Sequence, residues 1–438
     1  MHSIPSLLDR ATEVLSKVNG FRVYGKVTKA VGLIVEAVGL SASIGDICEI
    51  KTEENTIEAE VVGFKNGAIL LSPLGEIYGI RPGDRVYIKG KQSYIFVSEE
   101  ILGRVIDGLG NPIDGGEPIR GKPYPIYKEA INPLKREIIN EPIDLGIKAI
   151  NALFTCAKGQ KLGIMSGSGV GKSVLLGMIA RFTSADINVI ALIGERGREV
   201  REFIEKDLGE EGLKKSVVVV STSDTPALAR IRGAFVATAI AEYFREKGKD
   251  VLLLMDSLTR FAMAQREIGL AAGEPPTMKG YPPSVFKLMP KLLERVGKTK
   301  DGGSITGIYT VLVESDDLTD PVADAARAIL DGHIVLSRDL ANLNHYPAID
   351  PLKSISRLMK DVVDRNHLKY ATKLLDIIAT YSKYEDIIKI GAYKEGTNAE
   401  LDRAIGMMGK IYAFLRQDIN EKANFEESLK SLVNLFES

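Results

Sequence analysis

Hydrophobic positions along the chain change their period three times, and each change marks a different architecture. Apolar side chains at Leu7, Leu8, Ala11, Val14, Leu15 and Val18 share one helical face, and Gly20 supplies a stop. So short a helix is marginal in water, so its apolar face has to dock, either on the rest of this chain or on a partner protein. From Phe21 to about Val97 the pattern shortens to alternating or β-branched runs: Val23 to Val27, Leu33 to Val38, Ile47 to Ile50, Ile57 to Phe64, Ala68 to Leu71 and Arg85 to Ile88. Turn signals such as Asn66-Gly67 and Pro82-Gly83-Asp84 separate them, and a small β-barrel is predicted.

A turn-rich stretch from Leu102 to Gly115 and a proline-interrupted linker through Pro133 follow, and a helical pattern returns over Glu141 to Ile150. Strands are then predicted at Leu162 to Met165, Asn188 to Ile193, Val217 to Ser221, Val251 to Met255, Ile305 to Val313 and His333 to Leu336, with helices at Val200 to Lys206 and Ala227 to Glu246 between them. Strands too apolar to be half exposed belong to a parallel sheet covered by helices on both faces. The proline-rich interruption Gly273 to Pro283 must be a loop. Beyond Arg357 three helical stripes remain, carried by Leu374, Leu375, Ile378, Tyr381 and Ile388, by Leu401, Ile405, Met408, Tyr412 and Leu415, and by Phe425, Leu429, Leu432, Val433 and Phe436. The expected fold class is α/β: a predominantly parallel sheet core over 98–355, preceded by a helix over 1–20 and a β-barrel over 21–97, and followed by a helical domain over 356–438.

Charge narrows the partners. Lys and Arg number 57 and Asp and Glu 58, so no electrostatic pull toward nucleic acid or membrane is expected, and no nucleic-acid partner is predicted. Cys48 and Cys156 are far apart, which argues against a disulfide framework or a zinc site and fits a reducing cytosol. No run approaches the ~18 apolar residues of a membrane span, and no signal-type core opens the chain, so a cytoplasmic protein is expected. The four histidines are scattered and are read as structural.

The chemistry concentrates where the apolar run Leu162 to Met165 meets Gly167, Gly169 and Gly171, then Lys172, Ser173 and a helix-compatible Val174 to Arg181. Strand, glycine loop and helix in that order let the backbone N–H groups of Gly167, Ser168, Gly169, Val170, Gly171, Lys172, Ser173 and Val174 turn in on a polyphosphate. Lys172 then reaches the outer phosphates and the Ser173 hydroxyl ligates magnesium. The usual pattern starts with glycine, and here that position is Ser166. Asp256 ends the apolar strand Val251 to Met255 and is a second magnesium ligand, direct or through water, its competing reading being a helix cap. Gly194-Glu-Arg-Gly-Arg-Glu199 follows another strand, where a carboxylate can polarise the attacking water. Glu195 is the candidate; spacing alone leaves Glu199 or a surface role open.

Taken together, Ser166 to Ser173, Gly194 to Glu199, Asp256-Ser-Leu-Thr-Arg-Phe261 and Asp316-Asp-Leu-Thr-Asp-Pro321 resemble the rotary ATPase family. Gln265 to Pro276 and Gly280-Tyr-Pro-Pro-Ser284 resemble its flagellar and type III secretion export ATPases, the flagellar branch most closely. The resemblance implies a RecA-like P-loop core, ATP and Mg2+ as ligands, and a homo-hexameric ring with ATP sites between subunits. It makes Glu195 the catalytic glutamate, Arg196 its phosphate-side neighbour and Arg357 of Ser354-Ile-Ser-Arg357 an arginine finger for the adjacent subunit. Phe425 falls near the family's adenine-stacking aromatic, and a core phenylalanine on the stripe with Leu429 fits equally well. Implied partners are a peripheral-stalk regulator at the N-terminal helix, a central-stalk protein, export substrates with their chaperones, and an export gate that holds the ring peripherally at the membrane.

Other functions fit less well. The catalytic subunit of a rotary ATP synthase would carry Asp-Glu-Leu-Ser-Glu-Glu-Asp where this chain has Gly391-Ala-Tyr-Lys-Glu-Gly-Thr-Asn398, and usually threonine in place of Ser173. A hexameric RNA translocase would set aromatics in a basic groove, whereas Phe21, Tyr24, Phe64, Tyr78 and Tyr87 lack a basic cluster. A non-catalytic ring subunit would have lost Glu195.

Overall fold

Alternation in the first third of the chain resolves into six antiparallel strands, β1 Gly25–Val31, β2 Ile34–Val38, β3 Ile47–Lys51, β4 Thr56–Lys65, β5 Ala68–Pro73 and β6 Arg85–Gly90. They close in the order β1-β2-β5-β4-β3-β6, which leaves no free edge. Val35, Ile50, Val61, Leu71 and Val86 fill the interior. Asn66 and Gly67 both take positive φ, 51° and 81°, the backbone that a two-residue hairpin between β4 and β5 requires. The computed structural model describes residues 23–90, 93–300, 302–313 and 320–437. The amphipathic stretch Leu7 to Val18 and the Asp316 to Thr319 part of its motif lie outside the described residues.

Residues from Tyr94 onward, apart from Ala271–Gly273, form a second compact unit. Its strands are β7 Tyr94–Val97, β8 Val105–Asp107, β9 Lys122–Pro125, β10 Lys161–Ser166, β11 Ile187–Ile193, β12 Ser216–Ser221, β13 Asp250–Asp256, β14 Gly297–Lys298, β15 Ser304–Leu312, β16 Gly332–Leu336 and β17 Ile355–Ser356. The main sheet runs β17-β16-β10-β15-β13-β11-β12-β8, with β14 pairing β15, while β7 and β9 make a separate pair. All pairs from β16 through β8 are parallel. The helices are α1 Lys148–Leu153, α2 Lys172–Phe182, α3 Gly197–Glu202, α4 Gly209–Lys214, α5 Ala227–Glu246, α6 Leu258–Ala272, α7 Pro283–Leu293, α8 Pro321–Ile329, α9 Arg338–Asn342, α10 Met359–Val362, α11 Arg365–Lys389, α12 Ala399–Leu415 and α13 Phe425–Glu437.

One hydrophobic cluster joins the sheet to the C-terminal helices: Leu162, Ile190, Leu252 and Ile334 belong to it together with Leu374, Met408 and Leu432. Elsewhere in this unit Arg295 and Glu242 form a fully buried bidentate pair, Nε to Oε1 at 2.9 Å and Nη2 to Oε2 at 2.7 Å, and Arg295 also donates to the Ile126 carbonyl at 2.6 Å. Burial pushes the Cys48 and Cys156 thiols up to about 11 and about 12. Among the described residues no helix is long and apolar enough to cross a membrane.

Local expectations fail where backbone chemistry overrides periodicity. The helix expected over Glu141 to Ile150 starts only at Lys148, because Pro142 sits in a β-bridge to Ala157 and Gly146 takes φ 71°. The helix expected over Val200 to Lys206 is split: α3 gives way to a wider π turn over Phe203–Leu208, then to α4. The loop over Gly273 to Pro283 holds a single 3-10 turn, Met278–Gly280, and α7 starts with Pro283 in its first turn.

Candidate functional site

The glycine loop leaves the carboxyl end of β10, a strand flanked by β15 and β16 and buried along its length. Gly169 and Gly171 take φ 76° and 86°, and Gly171 caps α2 in the left-handed conformation that a side chain disfavours. Gly167, Ser168, Gly169, Gly171, Lys172, Ser173 and Val174 line one cavity of about 550 Å³ together with Glu195 and Arg196. Val170 and Asp256 are buried and do not line the cavity, and Asp256 touches it only through its contact with Lys172. The strand-end residues singled out in the sequence therefore converge, β11 and β13 being neighbours in the sheet and β15 alone separating them from β10.

Lys172 Nζ lies 2.5 Å from Asp256 Oδ1 and 3.8 Å from Glu195 Oε1. Thr310 Oγ1 donates to the same Asp256 oxygen at 2.6 Å. Glu195 Oε1 is buried without a hydrogen-bond partner. Burial, and then the neighbouring Asp256 charge, push the Glu195 carboxyl up to about 7, while Lys172 and Arg260 pull the other way. Glu199 is placed differently. Burial raises it, but a 2.8 Å bond from Arg196 Nη1, a hydrogen bond shared with Glu195 and the Arg196 charge leave its carboxyl below the usual range. Of the two glutamates left open by spacing, Glu195 has the unengaged oxygen and the proximity to Lys172 that a water-polarising group needs.

Two neighbours were assigned no role from the sequence. Arg260 on α6 packs against Gly194, where a Cβ would lie 2.7 Å from the Arg260 Cβ, and its Nε is buried without a partner. It lines the nucleotide-loop cavity. Tyr346 lies against the loop from the other flank, 3.3 Å from where a Gly171 Cβ would be, and stays substantially exposed. Arg260 lies within the Asp256 to Phe261 motif, which marked the segment without assigning the arginine a role, and the isolated Tyr346 gave no pattern to find.

Arg357 and Phe425 do not line the cavity of their own chain. Arg357 follows β17, which pairs antiparallel with the start of β16, and its N–H donates to the Asp331 carbonyl. Ser166, at the start of the loop, is level with Leu336 at the other end of β16. At ~3.3 Å per residue the two sites are about 16 Å apart along the strand. Among the described residues the Arg357 guanidinium donates to the Leu330 and Arg327 carbonyls, at 3.4 and 3.3 Å. The Phe425 ring lies 5.7 Å from that of His367, and its N–H donates to Asp144 Oδ2 at 3.1 Å.

Residues 146–356 match the nucleotide-binding domain of the ATP synthase alpha/beta family, residues 27–90 its beta-barrel domain, and residues 363–434 the T3SS EscN ATPase C-terminal domain. The chain is 51% identical over 427 residues to the flagellum-specific ATP synthase of Bacillus subtilis, covering 97% of each chain. It is 48% identical to the type 3 secretion system ATPase of Xanthomonas euvesicatoria, covering 94% of each. Among solved structures, the assembled ATPase EscN of the enteropathogenic E. coli type III secretion system superposes with a TM-score of 0.90 at 47% identity, over 94% of this chain and 99% of that one. EscN in complex with its central stalk EscO superposes with a TM-score of 0.86 at 46% identity, with the same coverage.

Proposed function

The chain belongs to the ATP synthase alpha/beta family, within the branch of the flagellum-specific and type III secretion ATPases, and on that premise we propose that it hydrolyses magnesium-bound ATP to energise flagellar or type III protein export. The observation that carries this reading is Glu195: a half-buried carboxyl whose buried Oε1 has no hydrogen-bond partner, 3.8 Å from the loop lysine and pushed up to about 7. The ATP synthase alternative is disfavoured by the EscN-type C-terminal match, and a nucleic-acid role by the balanced charge.

The donor set fits a magnesium-bound polyphosphate. Ser173 offers a hydroxyl at the loop, Asp256 a carboxylate behind it, and Glu195 an oxygen that lacks a partner. When bound, the ion neutralises charge on the outer phosphates. The loop N–H groups from Gly167 to Val174 hold the phosphates, and Lys172 exchanges its contact with Asp256 for a phosphate oxygen. Glu195 orients the attacking water and takes its proton. Arg196 and Arg260 face the same cavity and stabilise the charge spread over the equatorial oxygens. Tyr346 offers its ring to the base, and Phe425 belongs to a segment tied to it through Gln417, which binds the Tyr346 and Gly146 carbonyls.

Arg357 completes the site of a second copy. With its own loop about 16 Å away along the sheet, a finger role requires an interface, and a hexameric ring supplies one at every subunit. A central stalk engaging the ring, the N-terminal segment binding a peripheral-stalk regulator, chaperoned substrates, and docking at a membrane export gate belong to the same proposal. The test mixes two inactive variants, Lys172→Ala and Arg357→Ala. Mixed rings contain interfaces that pair an intact loop with an intact arginine, so part of the ATPase activity returns. Demonstrably mixed rings that stay inactive would refute the shared site.

A further inference from the structure

Beside the cavity of the phosphate loop lies a second one, of about 580 Å³. Gly167, Ser168, Arg260 and Leu312 line both cavities, so the loop and the Arg260 side chain form the partition between them. Beyond that partition Arg266 and Arg338 share the lining with one carboxylate among the described residues, Asp320. That carboxylate is already engaged, since its Oδ1 accepts from the Val322 and Ala323 N–H groups at the start of α8. Arg260, Arg266 and Arg338 form no ion pair among the described residues, and the Arg266 guanidinium sits 5.2 Å from the Tyr281 ring centre, a contact that leaves its N–H edge available.

Ser166 points to the same place independently. It is 2% exposed, its hydroxyl has no hydrogen-bond partner, and it lines this cavity but not the nucleotide cavity. A buried hydroxyl left unpaired is costly unless something arrives to pair it. The residue also occupies the one position where the loop departs from the usual glycine. Strand order explains the grouping: Ser166 ends β10 level with Leu312 of β15 and Leu336 of β16, two residues before Arg338.

We propose that this cavity is a second anion site, shaped for the tetrahedral oxyanion that hydrolysis releases, and that inorganic phosphate occupies it before leaving the protein. The inference rests on the ATPase reading above. No bond forms or breaks in this step: phosphate passes intact from Arg260 to Arg266 and Arg338, whose planar donors suit two of its oxygens at once, and Ser166 donates to a third. ADP stays in the first cavity meanwhile, so these arginines set the delay between cleavage and phosphate release.

The test uses the full chain in single turnover, with ADP formation followed by chemical quench and free phosphate by a fluorescent phosphate reporter. In the wild type, free phosphate lags behind ADP. Arg338→Gln and Arg266→Gln, on two different helices and outside the nucleotide cavity, each shorten the lag and weaken inhibition by added inorganic phosphate about tenfold, as loss of a charge-assisted hydrogen bond implies. ADP affinity is unchanged in both, Ser166→Ala shows a smaller effect in the same direction, and Arg338→Lys restores part of the lag. Phosphate that appears together with ADP in the wild type, or phosphate inhibition unchanged in both glutamine variants, overturns the second site. A wild type that forms no ADP at all refutes the ATPase reading instead. Should one glutamine variant fail to fold, as seen by circular dichroism, the other carries the test.

Discussion

Along β1 of the barrel, burial alternates at first and then gives way to solvent, whereas every residue of β10, β11, β12 and β16 in the sheet is buried. A barrel strand can place a polar side chain on its wet face anywhere along its length. A strand covered on both faces cannot, and its polar groups collect where the strand stops. Lys172, Glu195 and Asp256 stand at such ends, at positions that three separate crossovers bring side by side. The barrel is stabilised by its closure and interior; the sheet unit adds a site because its strands have no other place for charge.

The largest break in that contrast is expected from Lys172→Ala. Turnover falls by at least about 10²–10³, the scale of losing one fixed charge donor at a reacting phosphate, while far-UV circular dichroism stays that of the wild type. Normal turnover in this variant would move the chemistry away from the strand ends. Next comes the dry interior. Arg295→Met leaves Glu242 buried without its partner and costs ~3–5 kcal/mol in denaturant unfolding, whereas adding Glu242→Gln to it recovers part of the loss. If the single variant were as stable as wild type, the pair would not be structural.

Glu195→Gln is expected to lower turnover about 100-fold, roughly 2.7 kcal/mol of barrier, with nucleotide still bound. It also reports on stability. Between the ordinary carboxyl value of 4.5 and about 7, folded Glu195 keeps a proton that the unfolded chain has released, so wild-type stability falls as pH rises through that window. The glutamine variant lacks this loss and should melt higher than wild type at pH 8, with the gain gone near pH 4.5. Equal melting curves at both pH values would show that Glu195 is not buried beside Asp256. The smallest effect is in the barrel, where Ile50→Val should cost ~0.5–1.5 kcal/mol and leave turnover per folded chain unchanged. A barrel change that slowed turnover would dissolve the division between the two units.

Much of this was legible in the chain. The six barrel strands and the six central sheet strands lie within a few residues of where alternation and apolar runs predicted them, because those patterns report burial directly. Edge elements were hidden. The short strand β8 sits in a turn-rich segment, and β9 carries Pro123 and Pro125, residues that argue against a strand in any sequence reading. The loop, Lys172 and Asp256 stand out in the sequence because they follow apolar strands, and the structure brings them together; Arg260 was visible only as part of the Asp256 to Phe261 motif, and Tyr346 not at all, since it meets the loop only through the fold. For Ser166 the sequence offered only a departure from a pattern, and its unpaired hydroxyl needed the strand register to acquire a meaning.

The shared core of the sheet and the C-terminal helices also has a mechanical side. Helix α11 spans 25 residues, or about 37 Å, and its buried positions, from His367 and Ala371 through Leu374 to Ile378, cluster in the half nearer α1. The far half ends in solvent at Ile387 and Ile390. Tyr381 still packs against the shared core, and with Glu385 it borders a hollow faced by Met408 and Tyr412 of α12, so α11 leans on α12 along its far half; for a helix of this length a tilt of roughly 10° at the base carries the tip through about 6 Å. The exposed tip at Ile387 and Ile390 is therefore the part of the C-terminal helices whose position depends most on how the buried base near Ala371 and Leu374 is packed.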